Sequence, residues 1–272
     1  MTENNYEIVD LFISCEGLIN LDLLTVTDAL VEVYQSTTSR TNPWKLLGRT
    51  ECIDNDLNPK FATSFPLEYQ LDQNMKLMFK VYNMNDNNLT IRLADFIGDI
   101  TMSIHEIAGA AGQSLKRPIS LPKNRSKSRG VLNATIEARA RSNEWLKMRF
   151  TGEDLEDVTP CFLCSLNPFF ALSRVMENGV LQRVHTSNVL KGRNPAWPAF
   201  WISRTKLCNN DPQRPLVLEV FHYNTNGNHI RLGEYGFTIT DITEHGLKHF
   251  SIVDSMKTKK DSSYTNSGVL NL

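Results

Sequence analysis

The feature that most constrains this chain is that it repeats itself. "LNPKFATSF" (Leu57–Phe65) returns as "RNPAWPAFW" (Arg193–Trp201), each an Asn-Pro, one residue, an aromatic, then further aromatics. "FKVYNMN" (Phe79–Asn85) returns as "LEVFHYN" (Leu218–Asn224), and "ADFIGD" (Ala94–Asp99) as "HIRLGE" (His229–Glu234). The offsets are all about 135–139 residues. Three segments in one order at one spacing predict two copies of a single folding unit in series. The 272 residues divide naturally into two domains of this size. The expected boundary lies near Arg139–Asn143, "RARSN", a polar stretch after the strand-like "GVLNATIEA", giving domains 1–140 and 141–272.

Within each copy the apolar residues alternate. Leu77, Phe79 and Val81 point one way with Met78 and Lys80 between them, and Leu216, Leu218 and Val220 repeat this around Val217 and Glu219. Leu146, Met148 and Phe150 form another such face. A period of two in short runs, broken by Asn, Asp, Gly and Pro, predicts antiparallel strands. Helical periodicity is confined to patches around Ile104–Ala111 and Ile242–Lys248. The fold expected is all-β, two antiparallel β-sandwiches in tandem. Hydrophobic content of 41% is enough to pack both cores.

Composition also excludes roles. A formal net charge of −1 argues against a nucleic-acid partner. The N-terminal "MTENNYEIVD" has no basic flank and apolar run of a signal peptide, and Thr2 stands where myristoylation needs glycine. No run approaches ~18 consecutive apolar residues, so any membrane role should be peripheral. Five cysteines, an odd number without a secretion signal, suggest reduced thiols in the cytosol. Cys161-Phe-Leu-Cys164 lacks a second ligand pair at suitable spacing for zinc and reads as two strand-edge cysteines. Catalytic signatures are missing: there is no G-x-S-x-G, no phosphate-binding glycine loop and no H-E-x-x-H, so an enzyme is not expected.

The order of these segments resembles C2 domains, and specifically the tandem C2 pair of copines. "SCEGLINLDLLTVTDALVEV" (Ser14–Val33), "GRTE" (Gly48–Glu51) before "LNPKF", and in the second copy "NPFFALSR" (Asn167–Arg174), "VHTSNVLKGRNPAW" (Val184–Trp197), "LCNNDPQRPL" (Leu207–Leu216) and "LGE" (Leu232–Glu234) carry the likeness. It implies eight strands per sandwich and calcium held between loops at one end, two aspartates from the first loop and three from the third. Copines continue into a von Willebrand factor A-like domain, whereas this chain stops at "SGVLNL" (Ser267–Leu272), taken as the last strand of the second sandwich. Carried over residue by residue, the resemblance assigns Asp22, Asp28 and Asp95 to ligand positions in the first copy. Asn83 and Asn85 stand where the family has aspartates, with Asp86 adjacent. An amide carbonyl ligates without adding charge, so a weakened Ca²⁺ site is expected there. In the second copy Cys161, Asn167, His222, Asn224 and Ile230 occupy the corresponding positions, and the polar turn "NTNGN" (Asn224–Asn228) reads as a former calcium loop.

One charge run remains. "LKRPISLPKNRSKSRG" (Leu115–Gly130) holds six cations and no acid, and Lys123, Arg125, Lys127 and Arg129 are its candidate lipid contacts. Lys191 and Arg193, with Arg183 and His185, are a second candidate basic face. The function expected is that of a cytoplasmic protein peripherally associated with the plasma membrane, binding anionic phospholipid with calcium through the first copy. The alternative is a calcium-independent adaptor whose degenerate sandwiches bind other proteins, full-length copines among them.

Overall fold

The computed structural model describes residues 7–22, 25–36, 43–69, 75–84, 95–159 and 164–272. The chain divides between Arg139 and Ala140 into two compact units, with only Thr225–Gly227 grouped with the first rather than the second.

Among the described residues the first unit has eight strands: β1 (Glu7–Glu16), β2 (Ala29–Ser36), β3 (Trp44–Arg49), β4 (Lys60–Tyr69), β5 (Lys76–Asn83), β6 (Phe96–Ser103), β7 (Ser114–Pro118) and β8 (Val131–Ala138). They form two four-stranded layers, ordered β4-β1-β8-β7 and β3-β2-β5-β6, and all pairings are antiparallel. The alternation read from the sequence is the one observed: Leu77, Phe79 and Val81 of β5 are fully buried against Leu11 and Ile13 of β1 and their neighbours in one core. Each such side chain contributes roughly 1.5–3 kcal/mol by leaving water.

The second unit repeats the plan with β9 (Trp145–Met148), β10 (Thr151–Glu153), β11 (Pro168–Val175), β12 (Leu181–Thr186), β13 (Phe200–Ser203), β14 (Leu216–His222), β15 (Ile230–Phe237), β16 (His249–Ser251) and β17 (Val269–Asn271). The layer β12-β11-β14-β15 matches β3-β2-β5-β6 strand for strand. The opposite layer is split into β13-β9 and β10-β17-β16. Here β9 and β10 together stand where β1 runs unbroken, so nine segments fill eight strand positions. Phe150, buried in the gap between them, packs edge-on to Phe170 and Phe250 at the centre of this core.

The repeated sequence motifs have matching physical jobs. Asn58 Oδ1 accepts the Gly17 N–H at 2.9 Å and Asn194 Oδ1 accepts the Asp154 N–H at 2.7 Å. Each Asn therefore ties the end of a first strand to the hairpin that follows, and the aromatic three residues on, Phe61 or Trp197, is buried beneath it. Gly98 and Gly233 sit where backbone from the facing layer approaches closely. A Cβ at Gly98 would lie 2.8 Å from the Ser120 carbonyl oxygen, and one at Gly233 would lie 2.7 Å from that of Val253. Each glycine is followed by an isolated bridge to that same segment, Asp99–Ser120 or Glu234–Val253.

Both helical patches exist, one displaced. The helix at Ile104–Gly109 starts from a Ser103–Glu106 capping box. The second helix spans Ile239–Thr243, earlier than the apolar pattern suggested, because Thr238 and Asp241 form a capping box there. Cys15, Cys52 and Cys208 are free thiols. Cys164 is disulfide-bonded, against the reading of reduced cysteines, and Cys161 lies outside the described residues. Among the described residues no helix is long and apolar enough to cross a membrane.

Candidate functional site

The loop leaving β1 and the end of β5 meet at one end of the first sandwich. Asn83, the last residue of β5, is fully buried and joins them. Its Oδ1 accepts the Asp28 N–H at 2.8 Å, and its Nδ2 donates to Asp22 Oδ1 at 2.8 Å. The first bond fixes the amide orientation, because a flip would set an NH₂ against a backbone N–H. Asp28 Oδ1 in turn accepts the Asn55 N–H at 2.7 Å, and the Asp28 carbonyl accepts the Met84 N–H at 2.8 Å. Three of the five candidate ligands are thus drawn together by a single amide.

The electrostatics are those of a site short of positive charge. Burial pushes the Asp28 carboxyl above its usual range, against the pull of the Asn55 N–H, and the negative charges of Asp54 and Asp22 push the same way as burial. Asp22 Oδ2 is buried and, among the described residues, has no hydrogen-bond partner. A carboxylate oxygen without a partner among the described residues, beside a second carboxyl raised by burial and by like charge, fits a divalent cation. Asp95 is buried at the foot of β6, and Asn85 and Asp86 lie outside the described residues. Among the described residues no three His, Cys, Asp or Glu side chains are grouped to hold a metal.

Asp54 is the acid that sequence reading passed over. It lies on the turn after the Ala29–Ile53 bridge, next to Asn55, and its signal was that of any turn aspartate.

The second unit keeps the scaffold and changes the groups. His222, at the end of β14, accepts the Asn167 N–H through Nδ1 at 3.0 Å, the same backbone job that Asn83 performs. Asp157 holds the Thr159 N–H at 3.0 Å as Asn20 holds that of Asp22 at 3.1 Å. These Thr159 bonds keep the Asp157 carboxyl below its usual range, with lesser help from Arg193 and His222. Cys161, the residue set against Asp22 in the sequence, lies outside the described residues. The loop after β14 closes on itself: Asn224 Nδ2 donates to the Asn228 carbonyl at 2.6 Å, and its N–H donates to His229 Nδ1 at 3.2 Å. His229 stacks on Tyr223 and meets Phe169 edge-on, while Ile230 is exposed.

The basic stretch is less free than its sequence suggests. Arg125 pairs with the Asp99 carboxylate, and Arg129 donates to the Ile97 carbonyl at 2.9 Å. Lys116 pairs with Glu16 at 2.6 Å, and Arg117 with Glu106 at 3.6 Å. The acids missing from the local sequence arrive from β1, β6 and the capping box. Lys123 and Lys127 are exposed and, among the described residues, unpaired. Of the other candidate face, Arg183 pairs with Glu219 at 3.6 Å, and His185 lies flat on Phe200 with ring centroids 3.6 Å apart.

The topology and the loop geometry define a tandem pair of C2 sandwiches. The sequence pattern of the C2 domain family matches residues 11–119 and 151–252, and the chain belongs to that family. Along 97% of its length it is similar to Copine-A of Dictyostelium discoideum, with 26% identity, and it spans 42% of that relative's length. Among solved structures it is similar to BON1-C2B, with 21% identity over 47% of this chain and 86% of that one, at a TM-score of 0.36. It is also similar to the paired C2 domains of Extended-Synaptotagmin 2, with 14% identity over 97% of this chain and 90% of that one, at a TM-score of 0.34.

Proposed function

We propose that this protein is a peripheral membrane module that binds anionic phospholipid with calcium through its first C2 domain, the second being degenerate. The observation that carries this reading is the buried Asp22 Oδ2, unpartnered among the described residues, beside Asp28. Asp22 and Asp28, with carbonyl oxygens of the neighbouring loops, would hold the ion, and Asp95 is a further candidate ligand from the third loop. When bound, calcium supplies a positive charge that phosphate oxygens of a headgroup can share. The chain's own residues do the rest: Asn83 sets the spacing of the two loops, and Asn55 anchors Asp28. With so few carboxylates the affinity is low. The role is binding and regulatory rather than enzymatic, at the cytoplasmic face of the plasma membrane.

Asp28→Asn should abolish calcium binding in calorimetry and calcium-dependent sedimentation with phosphatidylserine vesicles, while Asn167→Ala should leave both intact. Calcium binding that survives Asp28→Asn would overturn the assignment. A second reading, a calcium-independent adaptor, is favoured by one contact: the Asn83 amide already donates to Asp22 Oδ1, partly doing what a cation would do. Absence of any binding at millimolar calcium would select it.

A further inference from the structure

The two most exposed large apolar side chains among the described residues lie on one small ribbon. Trp145 and Trp201 are 61% and 63% exposed, on β9 and β13. In this ribbon Trp145 pairs with Ser203, Leu146 with Ile202 and Lys147 with Trp201. Leu146 and Ile202 pack on the core, so Trp145, Lys147 and Trp201 all stand on the outer face. Lys147 Nζ lies 5.8 Å from the Trp201 ring centroid, and Trp145 is the diagonal neighbour of Trp201. Arg149, next in the alternation, is exposed as well. Among the described residues neither Lys147 nor Arg149 forms an ion pair, and neither exposed indole N–H has a protein partner. Glu144, the acid flanking β9, is taken up by Arg204.

The fold does not require this face. Where the second unit pairs Leu146 with Ile202 over the core, the first pairs Val9 with Leu67. The positions of Trp145, Lys147 and Trp201 are therefore held by Ile8, Asp10 and Pro66 in the first unit. Asp10 there is buried and paired to Arg139 at 2.9 Å. The second unit instead presents two tryptophans and two unpaired cations on an open two-stranded face. Tryptophan is the side chain whose apolar body and N–H suit a water–lipid boundary. We propose that the β9–β13 ribbon is a calcium-independent docking surface for an anionic lipid bilayer. The two indoles enter the headgroup layer, and Lys147 and Arg149 meet its phosphates. Within its own unit the ribbon stands at the far end of the strand from the loop that follows β10, and it uses none of the residues of the function proposed above.

The test uses the full chain with vesicles of phosphatidylcholine and phosphatidylserine, in chelator at low salt. The expected result is co-sedimentation with a blue shift of tryptophan emission and quenching by brominated phosphatidylcholine. W145A/W201A should weaken binding by about tenfold or more. Lys147→Gln and Arg149→Gln should each weaken it about fivefold. Asp28→Asn should bind as wild type, which separates this surface from the calcium site. Circular dichroism on each variant confirms that the sandwich is intact, and W145F/W201F, which keeps the aromatic bulk, should retain part of the binding. Emission unmoved by vesicles, or a double tryptophan variant that sediments like wild type, would overturn the proposal. So would loss of self-association in that variant with lipid binding unchanged, since the ribbon would then be a protein interface.

Discussion

The same backbone N–H is caught in the two units by two different side chains, and the difference shows what the scaffold demands. The residue before β2 donates to Asn83, and the residue before β11 donates to His222. An acceptor at the end of that strand is needed to hold the loop, whichever group provides it. A carboxylate is not needed for folding, so its presence or absence is free to follow function. Asn83 has a second group, its Nδ2, and aims it at Asp22. In the second unit the residue set against that aspartate, Cys161, lies outside the described residues, and His222 Nδ1 serves the Asn167 N–H.

The largest effect expected from breaking this comparison is at Asn83. Asn83→Asp keeps the acceptor for the Asp28 N–H but sets a carboxylate oxygen against Asp22 Oδ1, where a donor now sits at 2.8 Å. Without calcium the first domain should lose roughly 3 kcal/mol, the cost of uncompensated buried like charge. With calcium the loss should be more than recovered, and affinity should rise by about two orders of magnitude as a full charge joins the site. Thermal unfolding in chelator and in calcium reads both signs, and equal melting temperatures in the two media would refute the argument. His222→Asp, the matching change in the second unit, should produce no calcium response.

A second contrast predicts acid sensitivity confined to one unit. Gly48 on β3 and His185 on β12 hold equivalent places in their hairpins, opposite Val33 and Leu172. In the first unit the Phe65 ring fills the space above the glycine, 3.1 Å from where a Cβ would be. In the second, the imidazole itself stacks on Phe200. Burial, with a smaller push from Lys206, lowers the His185 pKa to about 4. A histidine with a depressed folded pKa resists protonation that the unfolded chain accepts, so stability falls as pH drops from about 6.5 toward 4. The second domain should be about 3 kcal/mol less stable at the lower end. His185→Leu should flatten that slope in urea titrations, and an unchanged slope would show that other groups dominate.

These residues also show which parts of the molecule a sequence displays. The period-two cores, the Asn-Pro ties and the glycines at the layer crossings are local necessities, and each was readable because only a few residue types satisfy it. That Asp22, Asp28 and Asn83 lie at one end of the sandwich was expected only from the resemblance to C2 domains, and the hydrogen bonds that join them were not legible. Asp54 and Asp157 were not, since a turn aspartate looks alike whether or not it faces a site. The split of the first strand into β9 and β10 was hidden because Leu146, Met148 and Phe150 alternate without interruption. The partners of the basic stretch were hidden for a third reason: pairing is set by which strands lie nearby, and the nearest acids are far away in sequence.

That last point yields the smallest effect, and it sharpens the contrast between cations that hold the fold and cations that are free to bind. Arg125 and Arg129 face β6, one through the Asp99 carboxylate and the other through the Ile97 carbonyl. Replacing either with glutamine should lower the stability of the first domain by roughly 0.5–1 kcal/mol and affect vesicle binding mainly through that loss. Lys123 and Lys127 pair with none of the described residues, so Lys123→Gln/Lys127→Gln should leave the melting temperature unchanged. The same pair should weaken chelator-insensitive binding to phosphatidylserine vesicles by about fivefold per charge at most. The effect should shrink toward nothing as ionic strength shortens the reach of exposed charges to roughly 8 Å. Sedimentation at two salt concentrations, read beside thermal unfolding, separates the two pairs. A lysine variant that binds like wild type at low salt would remove this loop from the membrane mechanism, leaving lipid contact to the calcium loops of the first unit and the tryptophan ribbon of the second.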